Sequence, residues 1–172
     1  MAVGNLEFIK SASGSTVSSL SVTDCISADY DVYQITVVES DTSATGWQKI
    51  NFIDSGGTDT TANYDFACLE LRNYTSFGEN RYTNLTNFPL IWYQDENLTD
   101  FGGYTCYVFN PYDSSSYTFV QHQTVSYENA NNSLRGDKGI GVQKTAVQNT
   151  GINFFPMTGN YDNIEVKVYG VK

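Results

Sequence analysis

Few residues in this chain are of a type that does covalent chemistry, and they are widely spaced. A Ser-His-Asp or Cys-His centre would have to use the one histidine, His122. It falls inside a strand-like stretch between Gln121 and Gln123, with no nucleophile elbow around it, and reads as a structural or surface residue. Zinc held by Cys and His needs close ligand pairs, whereas Cys25, Cys68 and Cys106 are remote from one another and read as small buried apolar residues. Calcium takes hard oxygen ligands on loops. Asp54, Asp59 and Asp65 flank a Gly/Thr-rich loop and are the ligands such an ion would use, and Asp95, Glu96 and Asp100 crowd a second turn. Neither set has EF-hand spacing, and Asp is also the default turn residue, so the expectation is no bound metal. Glycoside hydrolysis needs two carboxylates flanking a cleft, for which Glu70, Asp95 and Glu96 are the candidates. No cofactor pattern is present, and the expectation is a non-enzyme.

Aromatic side chains offer binding instead of turnover. Tyr74, Phe77, Tyr82, Trp92 and Tyr93 lie in or beside a stretch without clean periodicity, Asn73–Phe88, and Trp47 opens a strand. Aromatic faces stack on sugars and anchor protein interfaces, so these six are the interaction candidates.

The elements that must position them are strands. Tyr, Phe, Thr and Val are plentiful, Asn, Gly, Asp and Ser supply turns, and no apolar run has helical spacing. Alternation marks strands at Asn5–Lys10, Val17–Val22, Tyr30–Glu39, Trp47–Asp54, Asn63–Asn73, Pro89–Gln94, Gly102–Asn110 and Ser116–Tyr127. Ser11–Ser15 and Glu128–Asp137 read as loops, and Gly139–Gln148 opens the closing segment. Tyr30–Glu39 is apolar on both faces, which predicts a central strand covered on both sides. In Asn63–Asn73 the apolar phase switches near Ala67, which predicts a bulge or a crossing between sheets. The closing segment ends in two strands, Ile152–Phe155, stopped by Pro156, and Asn163–Tyr169, with Ile164, Val166 and Val168 on one face. A segment this apolar belongs inside a sheet.

The sum is an all-β, two-sheet sandwich with jelly-roll-like topology and roughly ten strands. It forms one domain over residues 1–172, in which 1–28 supply a lead and edge strands and 29–172 the core. Nineteen acids against nine bases give a net charge of −10, which disfavours nucleic acid and anionic membrane as partners. No stretch is long enough to span a bilayer. No basic-then-apolar leader opens the sequence and the cysteines are odd in number, which fits synthesis in a reducing cytoplasm.

The ordered motifs carry a resemblance. Thr145-Ala146-Val147, then Ile152, Phe154-Phe155-Pro156 and Gly159-Asn160-Tyr161, are followed by Val168-Tyr169-Gly170-Val171-Lys172. This resembles the closing segment, ending in an "LYGIK"-type strand, of tailed-bacteriophage virion proteins described as structural or tail-fibre proteins. Tyr30–Tyr33, Ile53 with Asn63-Tyr64, and Asn110-Pro111 with Tyr117 and His122 resemble upstream elements of the same family, whereas Asn73–Phe88 matches none of it. The resemblance implies a virion β-sandwich without common enzymatic activity, tail-fibre or baseplate-associated, that contacts other virion proteins and forms a homotrimer. A capsid decoration protein is one alternative. A host-recognition module that binds a surface glycan is the other.

Overall fold

The computed structural model describes residues 5–44, 46–94, 102–128 and 132–172, and the side chains of 38–41, 91–94 and 128 lie outside that description. Among the described residues thirteen strands follow in chain order. They are β1 (Leu6–Val17), β2 (Leu20–Val22), β3 (Val32–Thr42), β4 (Gly46–Asp54), β5 (Gly57–Thr58), β6 (Tyr64–Arg72) and β7 (Gly78–Leu85). Then come β8 (Phe88–Gln94), β9 (Gly103–Phe109), β10 (Thr118–Glu128), β11 (Ser133–Gln143), β12 (Gly151–Pro156) and β13 (Tyr161–Val171). One sheet has eight strands in the order β1-β13-β3-β9-β10-β11-β6-β7. The other has the order β2-β12-β4-β5, with β8 also paired to β4. All pairings are antiparallel. The fold is the two-sheet β-sandwich that composition and alternation predict.

The core lies between the sheets. The larger contributes Tyr33, Ile35, Cys106, Val108, Val166 and Val168, and the smaller Ile50, Phe52, Phe88, Leu90, Ile152 and Phe154, all buried. Phe88 is the keystone. Its ring meets Tyr64 edge-on at 4.8 Å and Phe52 at 6.0 Å. β11 has glycine beneath it, because a Cβ on Gly141 would lie 2.4 Å from the Phe88 ring. The closing ribbon is interior as expected: β13 lies between β1 and β3, and β12 between β2 and β4.

Five local expectations need correction. β1 runs straight through Ser11–Ser15, because β13 pairs with it along that whole length. Most of Asn73–Phe88 is not loop, since β7 pairs with β6 as an edge strand whose polar residues hide the period. β11 begins at Ser133, inside the expected loop, and ends at Gln143. β6 keeps one phase: Tyr64, Phe66, Cys68 and Glu70 point inward, and Leu69 and Leu71 point to solvent. The apparent switch at Ala67 therefore comes from apolar residues on the outer face. β3 is central, yet it is covered by the small sheet on its inner face only, and Val32 belongs to the outer one.

Candidate interaction face

The aspartates proposed for calcium do not converge. The Asp54 Oδ1 accepts from the Gly56 N–H at 2.7 Å, closing a local turn. The Asp59 Oδ1 accepts from the Thr61 N–H (2.9 Å) and hydroxyl (2.6 Å), while its Oδ2 accepts from Asn63 (2.9 Å) and Gln143 (2.7 Å). Burial raises the Asp59 pKa, but these donors outweigh it and hold the carboxyl below its usual range. Asp65 takes Lys144 at 2.8 Å and the Asn84 N–H at 2.9 Å, which lower its pKa as well. Each carboxylate ties a loop to the sandwich, and among the described residues no three His, Cys, Asp or Glu gather as metal ligands.

The candidates for covalent chemistry are neighbours across the strands, His122 standing in register with Cys106 and, past Gly139, with Cys68, but neither ring nitrogen is hydrogen-bonded to a thiol. His122 points inward from β10, 2% exposed, with its ring stacked on Phe66 at 5.5 Å. Gly139 makes room for it, since a Cβ there would lie 2.3 Å from the imidazole Cε1. Neither ring nitrogen has a hydrogen-bond partner among the described residues. Burial pushes its pKa down to about 4, so the ring is neutral at pH 7. Cys25, Cys68 and Cys106 are buried free thiols whose pKa burial pushes up to about 12, which leaves no reactive thiolate.

Glu70 lies in a polar block that sequence reading missed. On the inner face it stands directly across from Asp137, and Arg72 stands across from Arg135. Its carboxylate accepts from Arg72, from Arg135 at 3.2 Å and from Asn80. The Asp137 N–H donates to Thr124 Oγ1 at 2.7 Å. Two guanidinium groups thus stand with two carboxylates, Glu70 and Asp137, both of which are under 5% exposed, while Arg72 reaches the surface. This is a structural block and not a cleft acid pair. Asp95, Glu96 and Asp100 lie outside the described residues.

The aromatic candidates separate. Trp47 and Tyr82 form a tilted pair 6.2 Å apart, both half-buried. Tyr74 and Phe77 are exposed, and Phe77 borders a groove with Leu71, Val125 and Leu134. Trp92 and Tyr93 belong to β8, but their side chains lie outside the description.

What the structure does assemble is the outer face of the eight-stranded sheet. Alternation sends every second residue of each strand outward, and the registers align them in rows across the strands. One row reads Leu6, Val171, Val32, Phe109, Phe119, Val142, all apolar, before it ends at Asp65. The next starts with Phe8 and Tyr169, whose rings meet edge-on at 5.8 Å. It continues through Gln34, Tyr107, Gln121 and Ile140 to Ala67 and Arg81. A third, more polar row runs through Lys167, Thr36, Thr105, Gln123 and Lys138 to Leu69 and Glu79. Ile140 is 64% exposed, Leu69 52% and Phe119 45%. A groove of about 560 Å³ runs between Phe109, Phe119, Ile140 and Arg81. The signal for this face is present in the sequence as the second apolar phase of Tyr30–Glu39 and Asn63–Asn73.

Among the described residues no helix is long and apolar enough to cross a membrane. No protein-family model and no curated protein matches the chain. Several solved structures are similar at a low level. A fructofuranosidase from Schwanniomyces occidentalis complexed with fructosylnystose has 6% identity and a TM-score of 0.23, over 98% of this chain and 35% of that one. A non-specific endo-β-1,3(4)-glucanase has 7% identity and a TM-score of 0.26, over 90% of this chain and 63% of that one. The chain thus spans less than two thirds of either protein, and likeness of this degree carries no functional argument.

Proposed function

We propose that this chain is a non-enzymatic structural subunit of a bacteriophage particle, tail-fibre or baseplate-associated, that joins neighbouring virion proteins through the outer face of its larger sheet. The observation that carries the reading is the band of apolar side chains across that face. Largest apolar patches on soluble monomers are about 300–600 Å² and are often functional. Two rows across the sheet cover about 34 Å by 14 Å, using the usual strand and side-chain spacings, and are apolar except at Gln34, Gln121, Asp65 and Arg81. This band falls in that range before the flanking Leu69, Leu71, Val125 and Leu134 are added. The virion assignment rests on the resemblance of the closing ribbon. The balanced Glu70 block and the neutral, buried His122 support a scaffold role over turnover.

Immunogold labelling of purified particles with antibody against the chain tests this proposal. Label at the tail or baseplate supports it, label on the head moves it to the decoration alternative, and unlabelled particles overturn it. The glycan-binding reading draws on the alternation Tyr169, Gln34, Tyr107, Gln121, in which rings and amides follow one another across adjacent strands. Binding on a cell-surface glycan array that is lost on Tyr107→Ala would favour it.

A further inference from the structure

We infer that the partner seated on the outer face is a second copy of this chain, an inference that rests on the assembly reading above. Composition favours a protein partner over a ligand recognised mainly through hydroxyls. Leu6, Val171, Val32, Val142, Ile140 and Leu69 have neither rings to stack on sugars nor donors to bond them, whereas interface cores are built from such apolar contacts. Extent is sufficient. The three rows cover about 34 Å by 20 Å, about 700 Å², close to the ~800 Å² per partner of a stable interface.

Charge selects the copy. The chain carries −10, so two copies repel over most of their surface. The three rows carry Arg81, Lys138 and Lys167 against Asp65 and Glu79, a net charge of +1. This face therefore carries none of the chain's negative excess, and it has no excess of either sign to select a strongly charged foreign partner. The face is mixed in sign toward both ends. β7 presents Glu79 and Arg81, and on β13, next to the edge strand β1, Lys167 pairs with Glu165 at 2.9 Å. A two-fold axis parallel to the strands lays each end on the other end of its twin, so mixed charge meets mixed charge and apolar rows meet apolar rows.

Sedimentation velocity and native mass spectrometry of the full chain test this, beside Ile140→Glu in the middle of the face and Met157→Glu, which is exposed outside these rows. Circular dichroism establishes that each variant is folded. The parent and Met157→Glu are expected to self-associate alike, and Ile140→Glu to raise the dissociation constant by about 30-fold or more, as for a central interface residue. A monomeric parent, or an Ile140→Glu variant that associates like the parent, overturns the inference. So does a monomeric parent whose glycan-array binding is lost in Ile140→Glu, because the face then belongs to a sugar. A chain that is monomeric alone but labelled on particles leaves the virion reading standing without this inference. Face-dependent self-association with unlabelled particles does the reverse.

Discussion

His122 gives the interior of the sandwich a measurable pH dependence. In the folded chain the imidazole is buried on Phe66, with both nitrogens unpartnered among the described residues and its pKa pushed down to about 4 from 6.5. The unfolded chain takes up the proton near pH 6.5, whereas the folded chain resists until about pH 4. Between those values the unfolded state binds one more proton, so stability falls as pH falls, by about 1.4 kcal/mol per pH unit. Across the window the loss is about 3 kcal/mol, a large share of a domain's usual 5–15 kcal/mol. His122→Leu removes the titrating group and keeps similar bulk, and at pH 7 it should change stability by less than ~1.5 kcal/mol. Urea unfolding of both chains at a series of pH values is the assay. The parent's stability should drop relative to the variant's between pH 6.5 and 4 and run parallel to it above pH 7. Parallel curves throughout would refute the reasoning, for the histidine would then keep an ordinary pKa in the fold.

Three further outcomes follow from the packing. Glu70→Gln should cost about 3–5 kcal/mol in urea unfolding, because it leaves buried Arg135, and the partly exposed Arg72 beside it, without their shared counter-charge. Gly141→Ala should cost about 1–3 kcal/mol, because its Cβ would press on the Phe88 ring, and Phe88→Leu in the same chain should recover part of that loss. Asp59→Ala should loosen the loop over residues 55–63, seen as faster amide exchange there, and should remove a component of acid unfolding. The carboxyl's lowered pKa stabilises the fold above the unfolded value near 3.8, and that contribution is lost as pH falls through the folded value.

The fold was legible where one face of a strand is buried and the other is polar. Ile164, Val166 and Val168 alternate with Glu165 and Lys167, and β13 lies inside the sheet as that pattern requires. Legibility failed where the outer face is apolar. Leu69 and Leu71 looked like a change of phase because period alone does not distinguish a core from an exposed band. β7 was invisible because an edge strand with polar residues on both faces has no hydrophobic period. The block of Glu70, Arg72, Arg135 and Asp137 was hidden because its partners come from β6 and β11, joined only by register. The interaction candidates chosen by residue type, Trp47 and Tyr82, turned out to pack on each other, while Tyr107, Phe119 and Ile140, spread over three strands, form the face.

The central claim is that this face is covered in the assembled particle. Hydroxyl-radical footprinting of Tyr107, Phe119 and Ile140, read by mass spectrometry on the isolated chain held monomeric at high dilution and on intact particles, measures that directly. The account predicts that all three lose reactivity in the particle while exposed Met157 keeps it. Equal reactivity of the three in both states would contradict it.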